Sequence, residues 1–152
     1  MDKPENLYRQ AIKEIKKNPP DMEKTFRLLL DSYESGGYKA AYALGTWYLH
    51  GRHVEKDLSR SIDFFNFAVE GNVSEACYDL AICYEKGNGV KKNLETAFEL
   101  YVKAALFGDS QSYYEVGRCY YYGIGVRKNE RLSNIWLDKA ETIGIKETLK
   151  SD

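Results

Sequence analysis

A period of 36 residues runs through the sequence and constrains its fold more than any other feature. The best-matched columns contain tyrosine, glycine and valine: Tyr48, Tyr84 and Tyr120; Gly51, Gly87 and Gly123; Val54, Val90 and Val126. A fixed period of about 20 to 50 residues is the signature of repeat proteins, in which each unit buries its apolar face against its neighbours. The period therefore predicts a stack of similar units.

Each unit has the pattern of two α-helices. Apolar residues recur at spacings of three and four, which places them on one side of a helix, whereas a half-buried strand would show alternation. One such run is Leu94, Ala97, Phe98, Tyr101, Ala104 and Ala105. Short polar residues that can cap the second helix recur at the same period, at Asp21, Asp57, Asn93 and Asn129. The sequence thus predicts helix-turn-helix units.

The turns and the packing columns lead to more detailed expectations. His53 stands where the other two units have a second loop glycine, so we expect it to adopt a positive φ angle. The loop after Ala68 is expected to drift from the period by one residue. Small residues at 45/81/117 and 68/104/140 should let the two helices of a unit approach closely. Large residues at 48/84/120, 64/100/136 and 65/101/137 are expected to fill the space between successive units.

Four units follow from these columns, within one predicted domain at 1–152. They cover approximately 4–36, 38–72, 74–108 and 110–144, followed by a tail at 145–152. The first unit is degenerate, and its opening helix is expected from about Pro4 to Lys17, before Asn18-Pro19-Pro20. Terminal repeats are atypical because one of their faces meets water.

Composition excludes several classes of function. Lys plus Arg number 22 against 23 Asp plus Glu, which gives no basic field for nucleic acid. The first residues have no signal-peptide core, and no run of about 18 apolar residues could span a membrane. The three cysteines are expected to be buried and reduced. These features predict a cytoplasmic protein that binds neither nucleic acid nor membranes.

The repeated residues resemble the Sel-one-like repeats, a branch of the tetratricopeptide-like helical solenoids. The closest match lies in the third unit: Ala76, Tyr78, Leu80, Tyr84, Gly87, Gly89, Val90, Asn93, Ala97, Lys103, Ala104, Ala105 and Gly108. The resemblance covers about 38–144 well and 4–36 weakly, with Ala81 in place of a family glycine. It implies an all-α, right-handed superhelix of about four repeats. Its first helices would line a concave surface, and its members would act as adaptors in protein assemblies.

Candidate binding residues are the positions on first helices that the core columns leave unassigned. The resulting predicted protein-binding set is Tyr42, Thr46, His50, Tyr78, Ile82, Glu85, Lys86, Tyr114, Arg118, Tyr121 and Tyr122. Tyrosine and arginine often anchor interfaces, so Tyr114, Arg118, Tyr121 and Tyr122 are the strongest candidates. Tyr42, Tyr78 and Tyr114 form a column that packing alone could also explain. Substituting Tyr121 or Arg118 by alanine is expected to weaken binding and leave the fold intact.

The sequence contains no pattern that indicates catalysis, a metal or a cofactor. His50 and His53 have no ligand pattern near them, and no nucleophile motif or phosphate loop is present. Some disulfide-bridged, secreted members of the family have been linked to β-lactam binding, but this chain lacks their paired cysteines. We therefore predict a non-enzymatic scaffold or adaptor that binds a protein or peptide in its groove. By family analogy alone it could be a regulator such as a bacterial immunity protein.

Two other classes of function stay open. One is a structural, self-assembling protein, since the apolar end near Trp136, Leu137 and Ile143 lacks a following repeat and could form a homo-oligomer. The other is a small-molecule or β-lactamase-like enzyme, which a pocket of converging buried ionisable groups would favour.

Overall fold

The computed structural model describes residues 2–147 and Leu149. Within these residues the chain forms eight α-helices and no β-strand, which confirms the predicted all-helical repeat fold. Each helix has 13 residues. The helices are α1 (Lys3–Ile15), α2 (Met22–Glu34), α3 (Tyr38–His50), α4 (Leu58–Glu70), α5 (Ser74–Lys86), α6 (Leu94–Leu106), α7 (Ser110–Tyr122) and α8 (Glu130–Thr142).

The helix boundaries keep the period of the sequence. The second helices of the units start 36 residues apart, at Met22, Leu58, Leu94 and Glu130. Helix α1 ends two residues before the expected Lys17, because the Lys17 amide donates to the Glu14 carbonyl three residues back in a tighter turn. The identical spacing means that equivalent positions of different units lie at the same places in their helices.

The loop after Ala68 also stays in register, so the expected one-residue drift is wrong. Asn72 has a φ of 59° and occupies the column in which the other units have glycine with positive φ, at Gly36, Gly108 and Gly144. Asparagine adopts this left-handed conformation more readily than most residues. The loop therefore keeps its geometry although the glycine is missing.

The four predicted caps of the second helices are confirmed. Each side-chain oxygen accepts the backbone amide three residues later, at 2.9 or 3.0 Å, in the pairs Asp21–Lys24, Asp57–Arg60, Asn93–Thr96 and Asn129–Leu132. Such a cap stabilises a helix by about 0.5–2 kcal/mol. The predicted positive φ of His53 is confirmed as well, at 62°.

Small residues let the two helices of a unit meet closely, as expected. A Cβ atom added to Gly45 would lie 2.5 Å from the ring of Phe65, and one added to Gly117 would lie 2.7 Å from Leu137. Ser61 on α4 donates to the Gly45 carbonyl at 2.8 Å. Residues of the 65/101/137 column thus also pack inside their own unit, and Tyr101 belongs in addition to a core cluster with Val116 and Cys119 of the next unit, as expected.

The chain comprises two compact units, Met1–Val73 and Ser74–Asp152. The first contains α1 to α4, with a core around Ala11, Leu29, Leu44 and Trp47. The second contains α5 to α8, with a core around Ala81, Ala97, Tyr101 and Val116. A single domain over the whole chain stays a prediction.

The apolar end of α8 is exposed only in part. Ile143 is 38 % exposed and Ile135 is 53 % exposed. Trp136 and Leu137, which were expected beside them, are partly buried: the Trp136 ring lies 5.6 Å from that of Tyr113, and Leu137 packs against Gly117.

Within residues 2–147, no helix combines the length and the apolar character that a membrane crossing requires. Cys77, Cys83 and Cys119 are buried and free. Burial raises the pKa of the Cys119 thiol to about 12, so this thiol stays protonated at neutral pH and is a poor nucleophile.

Candidate functional site

A cleft lies between α5, α6 and α7, within the compact unit Ser74–Asp152. Its volume is about 740 Å³, which is within the range of about 300–1,000 Å³ that is typical of binding pockets. It is lined by Tyr78, Ile82, Glu85, Lys86, Lys92, Leu94, Tyr101, Glu115, Arg118 and Ile124. Both apolar and charged side chains therefore face one cavity.

Four polar side chains of the cleft form one hydrogen-bonded cluster, which we call the Arg118 cluster: Tyr101, Glu85, Arg118 and Glu115. The Tyr101 hydroxyl donates to Glu85 Oε2 at 2.6 Å, and Arg118 Nη2 donates to the same oxygen at 2.8 Å. Arg118 Nε donates to Glu115 Oε2 at 2.7 Å. The cluster thus joins three helices and holds the guanidinium between two carboxylates.

The pKa values of the cluster reflect burial opposed by ion pairing. Burial disfavours the ionised form of Glu85, but hydrogen bonds from Arg118 and Tyr101 outweigh it and lower the pKa of that carboxyl. At Glu115 burial outweighs the attraction of Arg118, so its pKa is raised. The pKa of Arg118 is also raised, because the two carboxylates overcome the cost of burial. Arg118 and Glu85 therefore form the ionised core of the cluster.

An apolar wall lies beside the cluster. The rings of Tyr78 and Tyr101 meet edge to face with centroids 6.1 Å apart, and Ile82, Leu94 and Ile124 add aliphatic surface. Lys86 and Lys92 are exposed. The cleft can therefore hold an apolar side chain next to fixed charges, as sites for peptides and small molecules do.

The cluster depends on residues that depart from their repeat columns. Position 101 has Tyr where the neighbouring units have Phe65 and Leu137, so only this unit has a hydroxyl at this place. Position 118 has Arg where the preceding units have Thr46 and Ile82. The residues shared between repeats determine the fold, whereas the residues that differ, Tyr101 and Arg118, form the polar contacts of this cleft.

We expect the contribution of Glu85 to stability to depend on pH. Because its pKa is lower in the folded state, the ion pair stabilises the fold above the ordinary carboxyl pKa, and this stabilisation is lost as the pH falls through the folded-state value. Glu85→Gln should therefore lower the free energy of unfolding by about 1–3 kcal/mol at pH 7 and by progressively less below about pH 4.5. Urea denaturation at several pH values measures this difference.

The control for this experiment is Glu99→Gln, which removes an exposed carboxylate from α6. We expect it to change stability by less than about 0.5 kcal/mol at any pH. A Glu85→Gln deficit that is the same at pH 7 and at pH 3.5 would contradict the assignment of Glu85 as the ionised partner of Arg118.

Comparison with known proteins identifies the repeat. The sequence profile of the Sel1 repeat matches residues 39–73, 74–109 and 110–142. The chain belongs to the Sel1 repeat family. No curated protein matches its sequence at a significant level.

Three solved structures share the Sel1 repeat fold of this chain, and the chain spans less than two thirds of each. A Sel1 repeat protein from Oxalobacter formigenes is 28% identical, with a TM-score of 0.86, over 93% of this chain and 59% of that one. The protective antigen c5321 of uropathogenic Escherichia coli is 23% identical, with a TM-score of 0.88, over 93% and 31%. The immunity protein Pa5087 from Pseudomonas aeruginosa is 25% identical, with a TM-score of 0.60, over 91% and 53%.

The structure brings together five of the predicted binding residues of this Sel1 repeat chain, and all of them line the cleft: Tyr78, Ile82, Glu85, Lys86 and Arg118. Tyr114 is only 8% exposed and thus has a packing role. Tyr121 is 39% exposed, and its ring meets that of Tyr122 edge to face at 4.8 Å. That these residues bind a partner stays a prediction.

Three predicted residues lie on α3, in the compact unit Met1–Val73. The Tyr42 ring lies 5.8 Å from that of Phe65, as the Tyr78 ring lies near Tyr101 in the second unit. The Thr46 hydroxyl donates to the carbonyl of Ala43 in its own helix at 2.7 Å, and His50 is exposed. The tyrosine column therefore has a common packing contact in both units.

The sequence prediction missed half of the residues that line the cleft: Lys92, Leu94, Tyr101, Glu115 and Ile124. It considered only first helices, whereas Tyr101 lies on the second helix α6. The lone hydroxyl in the 65/101/137 column was a signal for Tyr101. The spacing of three between Glu115 and Arg118 was a signal for Glu115, because such pairs meet on one helix face.

Metal-binding side chains are not grouped in the part of the chain that the structure describes. No three His, Cys, Asp or Glu side chains among residues 2–147 and Leu149 are grouped so that they could hold a metal ion. Ionisable groups do converge in the cleft, where the Glu85 and Glu115 carboxylates both accept bonds from Arg118. Such a convergence is the feature that would favour the enzyme alternative, which therefore stays open.

Proposed function

We propose that this chain is a non-enzymatic scaffold that binds a protein or peptide partner in the cleft of α5, α6 and α7. The observation that carries this proposal is the Arg118 cluster beside an apolar wall. Its charges are already held by hydrogen bonds within the chain, so a partner meets positioned groups. Binding then costs less side-chain ordering than it would on a flexible charged surface.

The composition of the cleft fits a protein partner. Tyrosine and arginine are the side chains most often found at the energetic centre of interfaces, and Tyr78, Tyr101 and Arg118 line the same cavity. The exposed Lys86 and Lys92 provide a polar rim, and charged rims mainly set the rate and specificity of association.

Membership of the Sel1 repeat family supports the same conclusion. A structure with the same fold is an immunity protein of Pseudomonas aeruginosa, so a regulator or inhibitor of another protein is the form of scaffold that we propose. Three buried, free thiols suit a reducing compartment, and we propose the cytoplasm as the location.

The test is affinity capture from native lysate, followed by calorimetry with the purified partner. We expect Lys86→Glu, on the rim, and Tyr121→Ala, on the neighbouring exposed face of α7, each to weaken binding at least about tenfold, equivalent to about 1.4 kcal/mol. Lys91→Glu is the matched control, because it makes the same charge change at an exposed position outside the cleft.

The fold of each variant is checked by its thermal unfolding midpoint. Undiminished affinity of both Lys86→Glu and Tyr121→Ala for the captured partner would show that binding occurs elsewhere on the chain. Arg118→Ala is a poor probe of binding, since Arg118 holds two carboxylates and its loss would disturb the cleft itself.

A further inference from the structure

Within each compact unit, the second helix of one repeat presents a stripe of apolar residues to the first helix of the next repeat. The Phe26 ring on α2 stacks on the Trp47 ring of α3 with centroids 5.7 Å apart, and the Phe98 ring on α6 meets that of Tyr120 on α7 at 5.3 Å. We call this the forward stripe, and all of its residues on these two helices are buried or partly buried. They are Met22, Phe26, Leu30 and Tyr33 on α2, and Leu94, Phe98, Val102 and Ala105 on α6.

The forward stripe of α8 is polar and acidic instead. Its residues lie 36 positions after those of α6, and all of them are exposed: Glu130, Asn134, Asp138 and Glu141. An apolar helix that covered three carboxylates would leave buried charges without partners, which is costly. A helix with a basic stripe would suit this face.

Helix α1 carries such a basic stripe. In α3, the residues that pack towards α2 are Ala40, Leu44 and Trp47, and all three are buried. Helix α1 aligns with α3 when Ala11 is matched to Gly45, the small residue that faces the second helix of its repeat. The corresponding stripe of α1, extended by one residue at each end, is exposed and consists of Lys3, Asn6, Gln10, Lys13 and Lys17.

The two stripes match in charge and in order. Helices α2 and α3 are antiparallel, since Phe26 near the start of α2 meets Trp47 near the end of α3. When α1 of one copy lies on α8 of another copy in the same way, Lys13 faces Glu130 and Lys3 faces the acidic end of α8. Uncharged amides lie between the charges in both stripes. Such complementarity steers association and fixes the register of a contact.

We propose that copies of this chain associate head to tail, with the basic stripe of α1 in one copy bound to the acidic stripe of α8 in the next. The contact joins two different surfaces, so a dimer keeps one open stripe of each charge and can bind further copies. Because exposed ion pairs are individually weak, we expect a dissociation constant on the order of 0.1–1 mM at low salt.

The proposed contact uses neither the cleft nor the predicted apolar end of α8. The cleft is lined by other residues, so the inference goes beyond the proposed function and can fail without it. Trp136 and Leu137, at the predicted apolar end, pack against α7 of their own repeat. Charge, and not apolar surface, is therefore expected to drive the association.

Sedimentation velocity of the full chain tests the association. At about 20 mM salt we expect the average mass to rise between about 0.01 and 1 mM protein, a range that includes the expected dissociation constant. At about 500 mM salt the Debye length falls to about 4 Å, so the association constant should fall at least about tenfold.

Two charge-reversed variants test the stripes themselves: Asp138→Lys/Glu141→Lys on α8, and Lys3→Glu/Lys13→Glu on α1. Lys17 is kept, because it also forms an ion pair within its own chain. Each variant alone has the same charge on both stripes, so its association constant should fall at least about tenfold. An equimolar mixture places opposite charges at every contact between the two variants and should associate about as strongly as the wild type.

The matched control is Glu95→Lys/Glu99→Lys, which makes the same change of net charge at exposed positions of α6. It should associate as the wild type does. Thermal unfolding followed by circular dichroism checks that every variant folds. If the reversed α8 stripe prevents folding, Asp138→Asn/Glu141→Gln removes the same negative charges more mildly and should also weaken the association.

A wild type that stays monomeric up to about 1 mM at low salt would overturn the inference. Association that high salt does not weaken would overturn it as well, because apolar contacts would then hold the copies together. A mixture of the two folded, charge-reversed variants that stays monomeric would show that the stripes do not bind each other.

Discussion

Alanine at position 125 is expected to lower the free energy of unfolding by about 2–5 kcal/mol, because a strained backbone conformation costs about 1–2 and overpacking about 1–3. Gly125 has a φ of 67°, and a Cβ atom there would overlap the carbonyl oxygen of Leu94 and lie 2.9 Å from the amide nitrogen of Glu95. These are backbone atoms at the start of α6, so the overlap can be relieved only if the helix shifts. Leu94 also lines the cleft, which links this turn to the binding site.

The control variant Gly108→Ala separates the two contributions to the loss of stability, which are backbone strain and steric overlap. Gly108 has a φ of 106°, but an added Cβ atom would meet nothing within 4 Å. This control should therefore cost only the conformational part, about 1–2 kcal/mol. Urea denaturation followed by circular dichroism measures both variants. If both variants lost the same free energy of unfolding, the turn at Gly125 would accommodate the added Cβ atom without a shift of α6.

Arg118→Met is expected to destabilise the chain by about 2–4 kcal/mol at pH 7. Loss of one partner of a buried ion pair costs about 3–5 kcal/mol, and we expect somewhat less here because the Arg118, Glu85 and Glu115 side chains are 22%, 20% and 13% exposed. Methionine fills a similar volume, so the loss of stability measures the cost of leaving the Glu85 and Glu115 carboxylates without a cation. Chemical denaturation measures the effect.

Two further variants test whether the destabilisation by Arg118→Met arises from the Arg118 cluster. Arg118→Lys should retain only part of the stability, since an ammonium cannot reproduce the planar guanidinium that donates to Glu85 through one nitrogen and to Glu115 through another. The triple variant Arg118→Met/Glu85→Gln/Glu115→Gln should recover at least half of the loss, because it removes the unpaired charges. Arg118→Met with wild-type stability would mean that the cluster does not support the fold.

The fold could be predicted from the sequence because its determinants are local and repeated. A cap such as Asp57 depends on residues three positions away, and the close approach at Gly45 needs only a small residue at a fixed place in the unit. Four copies of each determinant reinforce one another. The loop at Asn72 was misjudged because a single column lost its glycine while the backbone geometry was kept.

The candidate site could be predicted only in part because its key contacts join residues far apart in the sequence. Arg118 meets Glu85 across 33 positions and two helices, and no column predicts which rotamers bring the two together. Tyr114 is buried, as the packing interpretation of its column predicted, so a shared column is a weak guide to recognition. Residues that break a column, such as Tyr101 and Arg118, were the better guides to the cleft.

In each compact unit, the extensive helix contacts join helices that are consecutive in the chain. Such contacts need no long loop to close, so they favour rapid folding. A further 36-residue unit placed at the end of an array would add one new interface and leave the existing ones intact. Gene segments that encode one unit can therefore be gained or lost without a new core. This is consistent with the greater length of the relatives that share the fold, of which this chain spans 31% and 59% in two cases.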